Sequence, residues 1–193
     1  AYLSATGSAS HTRNPATCMT GVYRIPALYG RFRLAFTNTV PIAAYRGAGR
    51  PDIAYVIERL VTEAAAELKV DPAELRRRNF IPKDAFPHQT HSGVTYDSGD
   101  YEGALDLALN AAGYDELRAE QKRRRDEGGP KELGIGISSY TEITNPLGET
   151  EYGEVEITAD GEAIVYSGSF SHGQGHETSF AMLVSDLLGV PMD

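Results

Sequence analysis

Glu154-Val155-Glu156-Ile157-Thr158-Ala159-Asp160-Gly161-Glu162-Ala163-Ile164-Val165-Tyr166 decides the fold class. Polar and apolar residues alternate from Glu154 to Thr158, as they do in a strand with one covered face. Asp160-Gly161 supplies a tight turn into the β-prone run from Ala163 to Tyr166, so the stretch predicts an antiparallel hairpin. Upstream the pattern is mostly helical. Ile53, Val56, Ile57, Leu60, Val61, Ala64 and Leu68 recur at three- and four-residue spacing, which predicts a helix with one buried face. Asp71-Pro72-Ala73-Glu74 combines a capping carboxylate, a first-turn proline and a Glu three residues after the cap, marking a second helix through Asn79. Arg76, Arg77 and Arg78 near its end read as a solvated, dipole-favoured terminus.

Further helices are expected over residues 101–112, stopped by Gly113, over residues 114–126, and from Glu177 to Leu188. Residues 30–38, with Phe32, Leu34 and Phe36 alternating, read as a half-buried strand, and residues 133–143 are β-prone with two glycines. Residues 1–20 read as loop, and residues 81–100 as a long proline-broken connection in which His88 and His91 face solvent. No βαβ unit repeats. The expectation is an α+β fold, with mixed or antiparallel sheets and packed helices, in two pieces meeting near Gly128-Gly129-Pro130.

The chain has 193 residues, 41% hydrophobic and 23% charged, which is enough to bury a core. Its net charge of −9 argues against nucleic acid and anionic lipid as partners. Cys18 is the lone cysteine, so an intrachain disulfide and an all-thiolate metal or iron–sulfur site are excluded. No apolar run approaches the ~20 residues of a membrane span. With neither an initiator Met nor signal-peptide order at its start, the chain reads as a piece of something larger, soluble and cytoplasmic.

Two loops have ligand-binding character. Ser167-Gly168-Ser169-Phe170-Ser171-His172-Gly173-Gln174-Gly175-His176-Glu177-Thr178 runs from a strand into a helix start. Its glycines allow close backbone approach, and the helix's first N–H groups favour an anion. Gln174 adds a donor and an acceptor. A tight connection whose glycines serve only the turn is the competing reading. His172 and His176 are four apart, but the intervening glycines break the helix that a metal pair would need, so no metal ligands are assigned.

The second loop is Pro41-Ile42-Ala43-Ala44-Tyr45-Arg46-Gly47-Ala48-Gly49-Arg50-Pro51. The Walker and Rossmann patterns both fail here. Arg46 and Arg50 precede a helix N-terminus, where cations are unfavourable, so a partner other than the helix is expected, an acidic residue among the options.

These loops, in this order, resemble the molybdenum-hydroxylase large-subunit family, which includes xanthine dehydrogenase, aldehyde oxidase and the large chain of carbon monoxide dehydrogenase. The resemblance rests on Ala44-Tyr45-Arg46-Gly47-Ala48-Gly49-Arg50-Pro51, on the helical blocks from Tyr55 to Arg59 and from Asp71 to Ile81, and on Gly173-Gln174-Gly175-His176-Glu177-Thr178. It implies that residues 1–127 are part of a first molybdopterin-binding subdomain and residues 128–193 the start of a second. Tyr45, Arg46 and Gly47 would line the molybdenum site. Gly173, Gln174, Gly175 and His176 would hold molybdopterin, in its cytosine dinucleotide form in a bacterium. The implied reaction is hydroxylation of an aldehyde or N-heteroaromatic carbon with oxygen from water. Implied partners are the rest of the large subunit, FAD and iron–sulfur modules and a small-molecule substrate. The family's general-base glutamate lies outside this chain, so the chain alone is expected neither to hold the cofactor tightly nor to turn over.

Departures from the family bear on substrate. The resemblance puts Gly47 where copper-containing carbon monoxide dehydrogenases carry a copper-binding cysteine, and Ala48 where xanthine-type enzymes carry a stacking aromatic. The purine-binding arginine that those enzymes carry upstream falls near Asn14, so that role does not transfer. Carbon monoxide and purines are therefore not the expected substrates. A nonenzymatic interaction or assembly module of the same fold is the alternative, and a nucleotide-dependent phosphate-binding domain is a weaker third. Cys18 reads as a small, partly buried side chain, and the basic run Lys122-Arg123-Arg124-Arg125 as a solvated helix end or subunit contact.

Overall fold

The computed structural model describes Tyr2, residues 11–143 and residues 150–192. They fall into two units, Ala1–Glu142 and Ile143–Asp193. The elements of the first are α1 (Arg13–Thr17), α2 (Arg50–Leu68), α3 (Pro72–Asn79), β1 (His88–Gln89), β2 (Thr95–Tyr96), α4 (Tyr101–Ala112) and α5 (Tyr114–Glu127). The second holds β3 (Gly153–Ile157), β4 (Ala163–Ser167) and α6 (His176–Leu188). Helices beside small antiparallel sheets make this an α+β chain.

Local signals account for the helix ends. Asp71 accepts from Ala73 N at 2.8 Å and Glu74 N at 3.3 Å, and Asp100 accepts from Gly103 N at 3.0 Å, so α3 and α4 each begin on a carboxylate cap. Val22, Tyr23, Ala73, Phe80 and Leu105 form the core of the first unit, and Tyr23 stacks on Phe80 with 5.7 Å between centroids. In the second unit β3 pairs antiparallel with β4, Gly153 opposite Ser167 and Ile157 opposite Ala163, closed by the expected Asp160-Gly161 turn.

Several expectations need correcting. Residues 30–38 form no strand: the alternation supplies an apolar face, but no described strand pairs with it, and Phe36 is 79% exposed. Residues 133–143 also form no strand and have no strand partner among the described residues. Side chains bind their backbone instead: Gln121 Nε2 donates to Leu133 O at 2.8 Å, Arg76 Nη2 to Ile137 O at 2.9 Å, and Ser139 N donates to Glu58 Oε2 at 2.8 Å. These bonds keep residues 133–142 with the first unit, so Gly128-Gly129-Pro130 ends α5 without ending the unit. Within the stretch 1–20, expected to be loop, Arg13–Thr17 are helical, while residues 1 and 3–10 lie outside the described set. His88, expected to face solvent, is half-buried in β1, whereas His91 is exposed.

The arginine run behaves least as expected. Arg77 pairs with Glu102 and Asp106 and Arg78 with Glu74, as a solvated end would. Arg76 instead has no exposed surface. Its Nε and Nη2 both reach Glu58 Oε2 at 2.9 Å, and Nη1 donates to Pro72 O at 3.0 Å. Glu58, equally buried, also accepts from the Tyr23 hydroxyl. One ion pair thus joins α2, α3, the core tyrosine and residues 137–139. The expected face of α2 is only partly covered: Ile53, Glu58 and Ala65 are buried and Ile57 and Val61 pack against the core, while Val56, Leu60 and Leu68 are exposed.

Candidate functional site

The 45–49 turn is built from consecutive bends. Ala48 N donates to Tyr45 O at 2.6 Å and Arg50 N to Gly47 O at 3.0 Å, which delivers the chain into α2. Gly47 has a φ of 83°, and a Cβ there would stand 2.6 Å from Pro51 Cδ and 2.7 Å from Cγ. Both the backbone conformation and the neighbouring ring therefore require glycine. Tyr45 and Arg46 are exposed on this turn, and Tyr45 keeps 87% of its surface.

Behind the turn lies a polar support. Asn14 Nδ2 donates to Ala48 O at 3.0 Å. Arg50 Nη1 pairs with Glu142 Oε1 at 2.8 Å, so Glu142 is the acidic partner that the sequence left open. Arg50 Nε is buried without a hydrogen-bond partner among the described residues. Cys18 is buried close by. Burial pushes its thiol up, against smaller opposing effects from Thr17 and Arg50. Attack on a disulfide reagent needs an accessible thiolate. Cys18 is accordingly expected to stay unlabelled by dithionitrobenzoate in the folded chain at pH 8 and to react in denaturant. Rapid native labelling would contradict the packing described.

The second loop is a helix start without a side-chain cap. Gly173 and Gly175 have φ of 107° and 75°, and Gly175 precedes α6 with no side chain bonded to the first-turn N–H groups. Nothing stands within 4 Å of a Cβ built on Gly175, so the space over the helix end is open. His172 N donates to Gln174 Oε1, which commits the amide oxygen and leaves the NH2 group to donate. His176 stacks on Phe180 at 4.9 Å, and its buried Nδ1 has no hydrogen-bond partner among the described residues. Open N–H groups at a positive helix end favour an anion, and the Gln174 amide beside them adds a donor.

Tyr45, Arg46 and Gly47 share one turn of the first unit. Gly173, Gln174, Gly175 and His176 share one loop of the second. Among the described residues no group of three or more His, Cys, Asp or Glu is arranged to hold a metal ion, and no helix is long and apolar enough to cross a membrane. Sequence reasoning assigned neither Asn14 nor Glu142 to the turn, because their contacts to it come from distant positions. It also missed the Glu58–Arg76 pair that anchors the body of α2. A signal for that pair existed: Glu58, Thr62 and Ala65 form a second, polar-to-small stripe on α2.

Two models of a molybdopterin cofactor-binding domain match, one over residues 1–80 and the other over residues 107–193. The carbon monoxide dehydrogenase large chain of Hydrogenophaga pseudoflava is 38% identical over 186 residues, covering 90% of this chain and 23% of that protein. A putative xanthine dehydrogenase molybdenum-binding subunit of Escherichia coli is 31% identical, covering 98% of this chain and 26% of that protein. The crystal structure of quinoline 2-oxidoreductase from Pseudomonas putida superposes with a TM-score of 0.72 at 30% identity, covering 95% of this chain and 25% of that one. The chain thus spans about a quarter of the length of the relatives it matches. Matches at both ends of the chain, with sequence and fold agreeing, show that it belongs to the molybdenum hydroxylase family, in the molybdopterin-binding portion of the large subunit.

Proposed function

We propose that the chain supplies part of the cofactor and substrate site of a molybdenum-dependent oxidoreductase that hydroxylates an aldehyde or N-heteroaromatic carbon with oxygen from water. The observation that carries this reading is the uncapped α6 start, with open space over Gly175 beside the Gln174 amide, a set of groups that fits a phosphate-bearing tail. Gly173, Gln174, Gly175 and His176 would hold that tail, in the cytosine dinucleotide form. Tyr45, Arg46 and Gly47 would line the substrate side. When bound, the cofactor supplies the redox metal and lets water react near neutral pH. The chain's own residues bind the tail by backbone donors and present a tyrosine and a guanidinium toward substrate.

In this reading the first unit, through Glu142, belongs to a first cofactor-binding subdomain and the second, from Ile143, to the start of another. The general base, the rest of the large subunit, and the FAD and iron–sulfur modules come from elsewhere, and the assembly works in the cytoplasm. Carbon monoxide is disfavoured as substrate, since Gly47 offers no thiolate at the position where a copper-binding cysteine is expected. A heteroaromatic substrate is supported by the similarity to a quinoline oxidoreductase.

The test is cofactor content in the natural protein from its own host. Gln174→Ala removes a donor, and Gly175→Asp sets a carboxylate where the phosphate would sit. A lost charge-assisted hydrogen bond is worth roughly 1.5–3 kcal/mol, so each variant should retain less than about a tenth of the wild-type molybdenum and pterin. Full content in both variants would overturn the assignment of this loop.

A further inference from the structure

The 45–49 turn is gripped from two sides by residues remote in sequence. On one side Asn14, from α1, donates to Ala48 O at 3.0 Å. On the other, Glu142 pairs with Arg50, whose own N–H closes the turn on Gly47 O. Glu142 Oε2 also lies 3.7 Å from the position a Cβ on Gly47 would take, so the carboxylate rests against the turn itself. The Arg50 side chain is only 10% exposed, and Glu142 is the carboxylate paired with it.

We propose that Asn14 and Glu142 are positioning residues that fix the 45–49 turn and, through it, the aim of Tyr45 and Arg46 at the molybdenum site. The inference rests on the function proposed above. Asn14 acts on the carbonyl between the two glycines, and Glu142 acts through the Arg50 guanidinium. Neither residue needs to touch substrate. Two weak local bends thereby become one rigid presenting surface, and a small displacement of a presenting group is costly in an active site.

Trypsin separates the parts of this proposal. Arg46–Gly47 is a cleavable bond inside the turn, whereas Arg50–Pro51 resists because proline follows the arginine. In the natural protein, Asn14→Leu and Glu142→Gln are each expected to speed cleavage after Arg46 roughly tenfold, because cleavage tracks the population of the opened turn. Bonds within α2 and α3 should remain as resistant as in wild type. With molybdenum content unchanged, the Mo(V) electron paramagnetic resonance signal obtained after dithionite reduction should change its line shape.

Wild-type cleavage after Arg46 in both variants overturns the grip. Faster cleavage with an unaltered Mo(V) signal shows that the grip exists but that the turn does not face the metal. That outcome overturns the positioning role by way of the function on which it rests. The two substitutions act on different contacts, so if one prevents folding the other still decides.

Discussion

Replacing Arg76 with methionine should lower the stability of the first unit by about 3–5 kcal/mol, the usual cost of leaving one partner of a buried ion pair behind. A domain is stable by only ~5–15 kcal/mol, so this single change removes a large share of the margin. The cause is specific. Arg76 has no exposed surface, and among the described residues its loss leaves the buried Glu58 carboxylate with the Tyr23 hydroxyl and Ser139 N–H as remaining donors. It also frees the carbonyls of Pro72 and Ile137 and removes the donor that ties α3 to Glu58 O and Thr62 Oγ1 of α2. Arg77→Met is the control, because its ion pairs are solvent-exposed and worth about 0–1 kcal/mol. Pairing Arg76→Met with Glu58→Gln should recover part of the loss, since the stranded charge is then gone. Urea unfolding followed by far-UV circular dichroism reads all four proteins. An Arg76→Met midpoint equal to that of Arg77→Met would show that the buried pair does not hold the unit together.

The contrast between Arg76 and its neighbours shows where sequence reasoning stops. Three arginines in a row at a helix end carry identical local signals, and only contact with Glu58, in another helix, distinguishes the first. Caps and periodicity are local, so α3, α4 and the β3–β4 hairpin were legible within a few residues of their boundaries. Strand pairing is not local. Alternation in residues 30–38 and 133–143 announces which side chains share a face, yet it cannot name a neighbour, and neither segment has a strand partner among the described residues. The candidate site divides the same way. Glycines at 47 and 175 mark positive φ and open approach through their own chemistry. Asn14 and Glu142 carry no such mark, being ordinary polar residues until the fold sets them against Ala48 and Arg50.

Gly47→Ala should reduce kcat/KM of the natural protein by about 100-fold while its molybdenum content stays near wild type, because misplacing a presenting group by ~1 Å costs that much. At a φ of 83° an alanine is already strained, and its methyl would sit 2.6 Å from Pro51 Cδ. Pro51 lies in the first turn of α2 and cannot retreat without moving a helix that Glu58 and Arg76 anchor. The side that yields is the turn, which is exposed at Tyr45 and Arg46 and lies outside the core, with Asn14 and Arg50 among the residues that hold it. The methyl therefore displaces Tyr45 and Arg46 and leaves the core intact, so activity falls much further than stability does. Gly47→Cys meets the same obstacle and should not gain carbon monoxide oxidation with added copper. Ala48→Gly is the internal control. Ala48 has a φ of 45°, a conformation that costs a non-glycine residue roughly 1–2 kcal/mol, and glycine there relieves strain without adding bulk. It should keep nearly full activity. Equal activity in Gly47→Ala and Ala48→Gly would mean that the placement of this turn does not govern the reaction.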